Sequence, residues 1–380
     1  MALPRRALAV LGCGLFGMGL AVGGFGTYVA ELVARDFAPS VAGFGSTLFL
    51  FGQFVIVWPT DLLARRRSAR LAATVGLGAG TVGTALGGSL SLPLAHAGRL
   101  LLGFGMGATF LASMNYAGVR ADDGDVARTQ GLLGATFTLG LAVGIAVTPR
   151  AVAAVGPVVP ALAAAVPVAA SALFAPSLQP IASGEPRRFR DYVDAFWSPS
   201  GIGLGLANAA SYGLLIVATT WYTDVLSGVP ALPTTLVLVG FATATFLGRT
   251  YSGWLTTVTT ATRAVEGGLV FLAGTLGLVA AALWLGAPLL LAVALVLTGA
   301  GFGLPFGPLF SLAFTDIDAD AGVLLVGMTA IGNVVALAYP WLVGQLLEVT
   351  AGYTVGFVVL SLSTVVVVGV WRQTMGKSEG

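Results

Sequence analysis

Arg249 is the residue of this sequence with the clearest capacity for chemistry. It lies in the stretch 241–255, FATATFLGRTYSGWL, which otherwise has the composition of a membrane-spanning helix. An ionised guanidinium facing lipid costs about 2.5 kcal/mol or more, so an arginine at this depth is expected to face a bundle interior or a water-filled path. There it could hold a planar oxyanion through two parallel hydrogen bonds. The alternative is a side chain near the helix end that snorkels to the headgroups or makes a structural contact.

Further polar residues fall in the middle of apolar stretches and could complete a site around this arginine. Each of them alone is more commonly a helix–helix hydrogen bond. As a set, they predict a cavity that recognises a small polar solute by hydrogen bonds and one positive charge. The residues that we expect to bind the solute are Arg249, Gln53, Tyr28, Asn115, Tyr212 and Asn333, with Tyr116, Asn208 and Tyr339 as further polar groups of the same kind.

The composition indicates the class of protein that must position these groups. The chain has 57% hydrophobic and 9% charged residues and a mean hydropathy of +0.94, whereas a soluble protein carries about 25% charged residues. It is therefore predicted to be an all-α, polytopic membrane protein. The net charge is only +2, and the basic residues lie in short clusters, which gives no support to a nucleic-acid partner. Cys13 and His96 are single residues of their types, too few for a haem, iron–sulfur or zinc site, so no cofactor or metal is expected.

Twelve apolar segments are long enough to cross a bilayer, which takes about 20 residues. They lie near residues 7–33, 41–63, 70–91, 94–118, 129–149, 153–174, 200–223, 232–256, 265–285, 289–314, 321–346 and 353–371. The first follows Arg5 and Arg6 and loosely resembles a signal peptide with a lipoprotein cleavage box at Cys13. Because its apolar run continues to Val33, we interpret it as an uncleaved transmembrane helix.

The placement of arginine and lysine predicts the orientation in the membrane. With the N-terminus inside, only Arg35 and Arg150 fall in outer loops, so both termini are expected in the cytoplasm of a cytoplasmic-membrane protein. Residues 175–198 combine prolines, small residues and arginines, as a linker does. We predict a cytoplasmic linker there, between six-helix bundles at 1–174 and 199–380. Its segment RDYVDAFW could form a short amphipathic helix on the membrane surface.

The two halves contain weak internal repeats. A shift of 196 residues lays Gly52-Gln53 on Gly248-Arg249, and a shift of 198 lays Gly103-Phe104-Gly105 on Gly301-Phe302-Gly303. Matches in order at nearly constant offset are expected of parallel repeats related by an axis along the membrane normal. The repeat makes Gln53 the first-half counterpart of Arg249.

Three motifs resemble those of the major facilitator superfamily over essentially the whole chain. They are Asp61-Leu62-Leu63-Ala64-Arg65-Arg66 after the second span, Arg99-x-x-x-Gly103-x-Gly105-x-Gly107 in the fourth, and Gly248-Arg249-x-x-x-Gly253-Trp254-Leu255 in the eighth. The sequence departs from the superfamily pattern at Val57, Ala64 and Thr257. The glycines of the second motif are expected to pack helices closely, as small residues do in membranes.

This resemblance implies a gating role for the loop after the second span. Asp61, Arg65 and Arg66 would make ion pairs that close the cytoplasmic side in one state and break in the other. A solvated positive-inside cluster is the alternative for the arginines. Arg99 resembles an arginine linked in the superfamily to proton coupling or to structural contacts, and we group it with the gating residues.

The stretch 327–344, GMTAIGNVVALAYPWLVG, is similar to the nitrate/nitrite porter branch of the superfamily. That branch uses one arginine in each half, of which Arg249 matches the second and Gln53 replaces the first. The expected cargo is therefore a monovalent organic anion or nitrate. Asp and Glu are absent from the middle of every predicted span, which favours uniport or antiport over proton symport.

The sequence favours transport of a small anion by a monomer with alternating access, and two other classes of function are the alternatives. A multidrug-type efflux transporter of apolar or cationic compounds needs a large apolar cavity with few fixed polar groups. A polytopic membrane enzyme needs an assembled catalytic constellation. The nearest approach to a metal site, Asp316, Asp318 and Asp320, is better explained as a solvated loop that caps a helix.

Overall fold

The computed structural model describes residues 5–89, 91–121, 125–181, 185, 187–229, 231–315, 321–350 and 352–375. Nearly all of the described residues are helical. The α-helices are α1 Arg5–Gly23, α2 Phe25–Val33, α3 Pro39–Arg66, α4 Ala69–Leu86, α5 Leu92–Arg120, α6 Val126–Val155, α7 Val158–Phe174, α8 Phe189–Trp197, α9 Pro199–Asn208, α10 Leu214–Ser227, α11 Thr234–Val258, α12 Ala261–Trp284, α13 Pro288–Gly303, α14 Phe306–Thr315, α15 Ala321–Thr350 and α16 Thr354–Met375. A π-helical segment, Ala209–Gly213, joins α9 to α10. The aspartates Asp316, Asp318 and Asp320 lie outside the described residues.

Ten helical stretches in the described part of the chain are long and apolar enough to cross a membrane. The third and eighth predicted spans are the helices α4 and α11, which carry Arg70 and Arg249. Two of the spans are broken: α1 and α2 meet at Gly24, and α13 and α14 meet around Pro305. The all-α, polytopic membrane fold is confirmed, and these segments are consistent with twelve spans.

The glycines of the Arg99 motif bring three helices of the first half into backbone contact. A Cβ atom added to Gly103 would lie 2.2 Å from the Phe49 carbonyl oxygen of α3, and one added to Gly105 would lie 2.3 Å from the Gly80 nitrogen of α4. Any side chain at these positions would push the helices apart. The contacts agree with the packing role expected of these glycines.

Helices α1–α7 precede the linker and α9–α16 follow it. The most extensive contacts between the halves are those of α6 with α11 and with α14, of α3 with α15, and of α2 with α10. The α6–α11 contact is very close, because a Cβ atom on Gly131 would lie 2.8 Å from the Arg249 carbonyl oxygen. Since α7 ends at Phe174 and α9 begins at Pro199, the chain between them connects the halves. The division into domains stays a prediction.

The linker contains α8, which coincides with the RDYVDAFW segment. A capping box starts it, in which the Arg188 backbone N–H donates to Asp191 Oδ2 at 2.9 Å. Tyr192 faces the protein and is buried, whereas Phe189 and Trp197 are exposed. We call one end of the bundle the linker end: it carries α8, the start of α1 and the end of α16. The opposite end is the far end.

Candidate functional site

The Arg249 side chain lies inside the bundle, between the two halves, and is fully buried. Its Nη1 donates to the Gly134 carbonyl oxygen of α6 at 3.3 Å. Its Nε and Nη2 have no hydrogen-bond partner among the described residues. The arginine therefore does not snorkel to the headgroups, and two of its donors are available to a ligand.

Aromatic rings, and no carboxylate among the described residues, surround the guanidinium of Arg249. The Phe306 ring centroid lies 4.1 Å from the guanidinium carbon, and those of Phe137 and Tyr212 lie at 5.9 Å and 6.0 Å. A desolvated cation–π contact contributes about 2 kcal/mol. Since a buried charge needs an opposite charge for full compensation, these rings hold the cation in place and leave its charge open to an anion.

A hydrogen bond that crosses between the halves brings two more predicted residues to this arginine. The Tyr212 hydroxyl, on the π-helical segment, donates to Gln53 Oε1 of α3 at 3.2 Å. Gln53 is 2% exposed, and its Nε2 has no partner among the described residues. Through Tyr212, the structure brings Arg249 and Gln53 to one site. A π-helical turn inside an α-helix is frequently found at a functional site.

Phenylalanines form a wall of this site that the sequence did not reveal. Phe110 stacks on Tyr212 with ring centroids 6.4 Å apart and meets Phe310 edge-on at 5.2 Å. Phe137 lies 6.2 Å from the Tyr212 ring. In an apolar helix, a phenylalanine that faces a site carries the same signal as one that faces lipid, so only the packing distinguishes them.

Asn333 lies on the helix that faces Gln53. α15 runs along α3 between two contacts: Thr47 donates to the Leu337 carbonyl oxygen at 3.4 Å, and a Cβ atom on Gly322 would lie 2.5 Å from Arg65 Nη2. Both Gln53 and Asn333 lie between these contacts. Asn333 is 1% exposed, and both of its amide atoms lack a partner in the described residues.

The other two residues expected to bind the solute lie elsewhere. Tyr28 is half-buried and lines a cavity of about 300 Å³ within the first half, together with Thr84 and Arg99. Asn115 donates to Asp61 Oδ1 at 3.5 Å, at the linker end. The structure thus brings Arg249, Gln53 and Tyr212 together, with Asn333 on the facing helix.

Asp61 is the centre of a buried polar cluster at the linker end. Its Oδ2 accepts hydrogen bonds from Arg65 Nε at 2.5 Å and from the Tyr192 hydroxyl at 2.6 Å. With Asn115, the cluster joins α3, α5 and the linker helix α8. Arg66, the remaining gating candidate of this loop, is exposed. The sequence contains no sign that Tyr192 belongs to this cluster, because the pattern of its segment indicates only an amphipathic helix.

The far end is also closed by a contact between the halves. Ser46 of α3 and Thr220 of α10 share a hydrogen bond of 2.9 Å between their hydroxyl oxygens, and both are buried. Within the second half, the Trp221 indole N–H donates to the Pro340 carbonyl oxygen at 3.1 Å. Contacts between the halves thus lie at both ends of the bundle, and Arg249 is fully buried.

Arg99 lies away from the Asp61 cluster, nearer the far end. It is 2% exposed, and its guanidinium carbon lies 3.8 Å from the Phe25 ring centroid and 4.7 Å from that of Phe49. Its Nε donates weakly to the Gly45 carbonyl oxygen at 3.4 Å, and its Nη1 has no partner among the described residues. Its gating role stays a prediction.

Comparison with known proteins identifies the family. The sequence model of the Major Facilitator Superfamily matches residues 11–340, and no curated protein matches the chain. Similar solved structures include the fucose:proton symporter FucP of E. coli, at 16% identity and a TM-score of 0.65, covering 96% of this chain and 98% of that one. The human organic anion transporter MFSD10 (TETRAN) is 16% identical with a TM-score of 0.74, covering 97% and 99%.

The proton:xylose symporter XylE gives a TM-score of 0.79 at 12% identity, covering 97% of this chain and 94% of that one. Identities this low support the fold alone, whereas the family model extends over most of the chain. The protein is thus a member of the major facilitator superfamily of membrane transporters.

Proposed function

We propose that this protein moves a small anion across the cytoplasmic membrane by alternating access, with Arg249 as the anion-binding residue. One observation carries the proposal: a fully buried guanidinium between the halves has two donor nitrogens, Nε and Nη2, without a partner among the described residues. A bound carboxylate or similar oxyanion would accept both donors and neutralise the charge. The Gln53 amide could donate a further hydrogen bond to the same anion.

The contacts at the two ends support a cycle in which the halves rock about this site. Opening the far end would break the bond between Ser46 and Thr220. Opening the linker end would separate α3 from α15, where Arg65 lies against Gly322. Because Arg65 also bonds Asp61, this movement would disturb the Asp61 cluster. Because the anion neutralises Arg249 in the enclosed state, it lowers the free energy of the intermediate between the two open states.

The charge of the site favours an anion over the cargo of a multidrug exporter. A fixed buried cation repels a cationic substrate strongly at low dielectric. Among the solved structures of similar fold, MFSD10 is described as an organic anion transporter, while FucP and XylE are described as sugar symporters. These descriptions concern proteins of low identity, so the anion is inferred from Arg249.

The distribution of carboxylates favours uniport or antiport. Among the described residues, Asp61 is the one Asp or Glu that is fully buried, and it is bonded to Arg65 and Tyr192 at the linker end. A proton symporter would need a carboxylate that titrates near the substrate. The arrangement supports exchange of one anion for another or facilitated diffusion.

The test is an uptake screen with purified protein in proteoliposomes, comparing small anions with neutral and cationic solutes. We expect uptake of at least one anion, and we expect Arg249→Ala to lower it by at least about tenfold because the charge-assisted hydrogen bonds are lost. Uptake by Arg249→Lys should fall between that of the unaltered protein and that of Arg249→Ala, since lysine keeps the charge but not the planar donor pair.

Arg150→Ala is the matched control, because Arg150 is an exposed arginine that donates to a carbonyl of its own helix. Normal uptake by both Arg249 variants would rule out the anion site. Uptake that persists without a proton gradient or an internal anion would identify uniport.

A further inference from the structure

Arg99 is a second buried guanidinium whose charge has no acidic partner in the described part of the chain. It is 2% exposed, its Nη1 has no acceptor, and its only hydrogen bond there is the long one to the Gly45 carbonyl oxygen. The Phe25 and Phe49 rings provide cation–π contacts but no negative charge. Two uncompensated cations inside one helix bundle are costly, and such residues usually mark a binding site or pathway.

The residues that hold Arg99 border the interface between the halves. Gly26, next to Phe25, packs against α10 so closely that a Cβ atom there would lie 3.3 Å from the Thr219 carbonyl oxygen. On α3, Ser46 lies between Gly45 and Phe49 and shares its hydrogen bond with Thr220 of α10. The α3 turn beneath Arg99 is therefore one of the turns that contact the second half.

The same face of α3 leads from Arg99 to the Arg249 site. Phe49 and Gln53 are four residues apart, so they lie on one face of the helix with about 5–6 Å between their Cβ atoms. Arg99 stacks on Phe49, and the Tyr212 hydroxyl binds Gln53. One face of α3 thus runs from the ring beside Arg99 to the amide beside Tyr212, whose ring centroid lies 6.0 Å from the Arg249 guanidinium carbon.

We infer that Arg99 is a second anchor of the substrate site and that the cargo is an anion with two separated negative groups, such as a short-chain dicarboxylate. The inference rests on the proposed function and narrows its substrate class. One carboxylate binds Arg249, the other binds Arg99, and the aliphatic spacer passes the aromatic side chain of Tyr212. A monovalent anion neutralises one guanidinium and leaves the other uncompensated.

This arrangement also accounts for the asymmetry between the halves. The position symmetric to Arg249 is Gln53, which carries no charge. The positive charge of the first half is instead about one helical turn away, on Arg99 above Phe49. A pair of cations offset in this way fits an elongated dianion better than a compact oxyanion such as nitrate.

The experiment measures proteoliposome uptake of succinate and glutarate against acetate and nitrate. The unaltered protein should take up one of the dicarboxylates at least about tenfold faster than the monovalent anions, because only a dicarboxylate pairs with both buried guanidinium groups. Arg99→Gln should lower the ratio of dicarboxylate to monocarboxylate uptake by about tenfold, and Arg99→Lys should restore part of it. Arg35→Gln, at an exposed arginine near the far end, is the matched control.

Two outcomes overturn the inference and leave the proposed function intact: equal uptake of both anion classes, or an Arg99→Gln variant that lowers both by the same factor while uptake still depends on Arg249. Loss of dependence on Arg249 overturns both proposals. A second measurement needs no variant: succinate or glutarate should raise the thermal unfolding temperature of the unaltered protein more than acetate at equal ionic strength. An equal rise with acetate contradicts the inference.

Discussion

The Asp61 cluster at the linker end and the Arg249 site between the halves both bury charge, but they satisfy it differently. Asp61 accepts hydrogen bonds from Arg65, Tyr192 and Asn115. Arg249 has one hydrogen bond to a carbonyl oxygen and two donors without a partner among the described residues. A satisfied polar cluster stabilises the conformation in which it forms, whereas an unsatisfied buried group costs free energy until a ligand arrives. The comparison distinguishes a cluster whose charges are satisfied from a buried cation that keeps donors for a ligand, as the proposed function requires.

The largest effect is expected from Asp61→Ala. The substitution removes the carboxylate that accepts hydrogen bonds from Arg65, Tyr192 and Asn115, and breaking a buried ion pair destabilises by about 3–5 kcal/mol. The measurement is thermal unfolding in detergent, together with labelling of a cysteine introduced at the linker end in a Cys13→Ser background, since that cysteine should become more accessible. Arg66→Gln is the matched control. Because Arg66 is exposed, this substitution should change the free energy of unfolding by less than about 0.5 kcal/mol. Equal effects from the two would remove the distinction between the cluster and its exposed neighbour.

A smaller loss is expected from Tyr192→Phe, which removes the hydroxyl that donates a hydrogen bond from the linker helix to Asp61. A hydrogen bond to a charged group contributes about 1.5–3 kcal/mol, and the bond to Arg65 remains. Labelling at the linker end should rise less than for Asp61→Ala. Tyr251→Phe, which alters an exposed tyrosine, is the control. If labelling is unchanged, α8 does not help to hold this end closed.

The smallest effect, of opposite sign, is expected from Arg249→Met. Replacing an uncompensated buried cation by an apolar side chain should stabilise the ligand-free protein by about 1 kcal/mol, since the lost cation–π contacts offset part of the gain. The thermal shift produced by the transported anion should disappear. Unfolding temperatures with and without anion provide the measurement. A strongly destabilised variant would show that Arg249 is a structural residue like Arg65.

Much of the fold could be predicted because the membrane imposes strong rules on a sequence. A span must be long and apolar, and the polar backbone must be satisfied within helices. The positions of the helices follow from these rules, including α11, where the high cost of a lipid-facing Arg249 predicted a buried side chain. The motif glycines likewise predicted close helix packing, which Gly103 and Gly105 show.

The candidate site could be predicted only in part. Gln53 was found through the repeat, and Tyr212 through its polarity in an apolar segment. The phenylalanine wall gave no signal, because an apolar side chain in an apolar helix does not reveal which way it faces. Asn115 and Gln53 are both amide residues within apolar segments, so the sequence does not distinguish them. In the structure Asn115 lies against Asp61 and Gln53 lies against Tyr212.

The sequence by itself determined the class of protein, the approximate positions of the membrane-spanning helices and the motifs of the family, because these depend on local composition and on the bilayer. Only the tertiary structure decided which charges are satisfied. Asp61 and Arg65 are four residues apart and could pair within one helix, but Tyr192 reaches them from a separation of 131 residues. Whether Arg249 and Arg99 have partners depends on the packing of distant helices, and that packing leaves both without a carboxylate among the described residues.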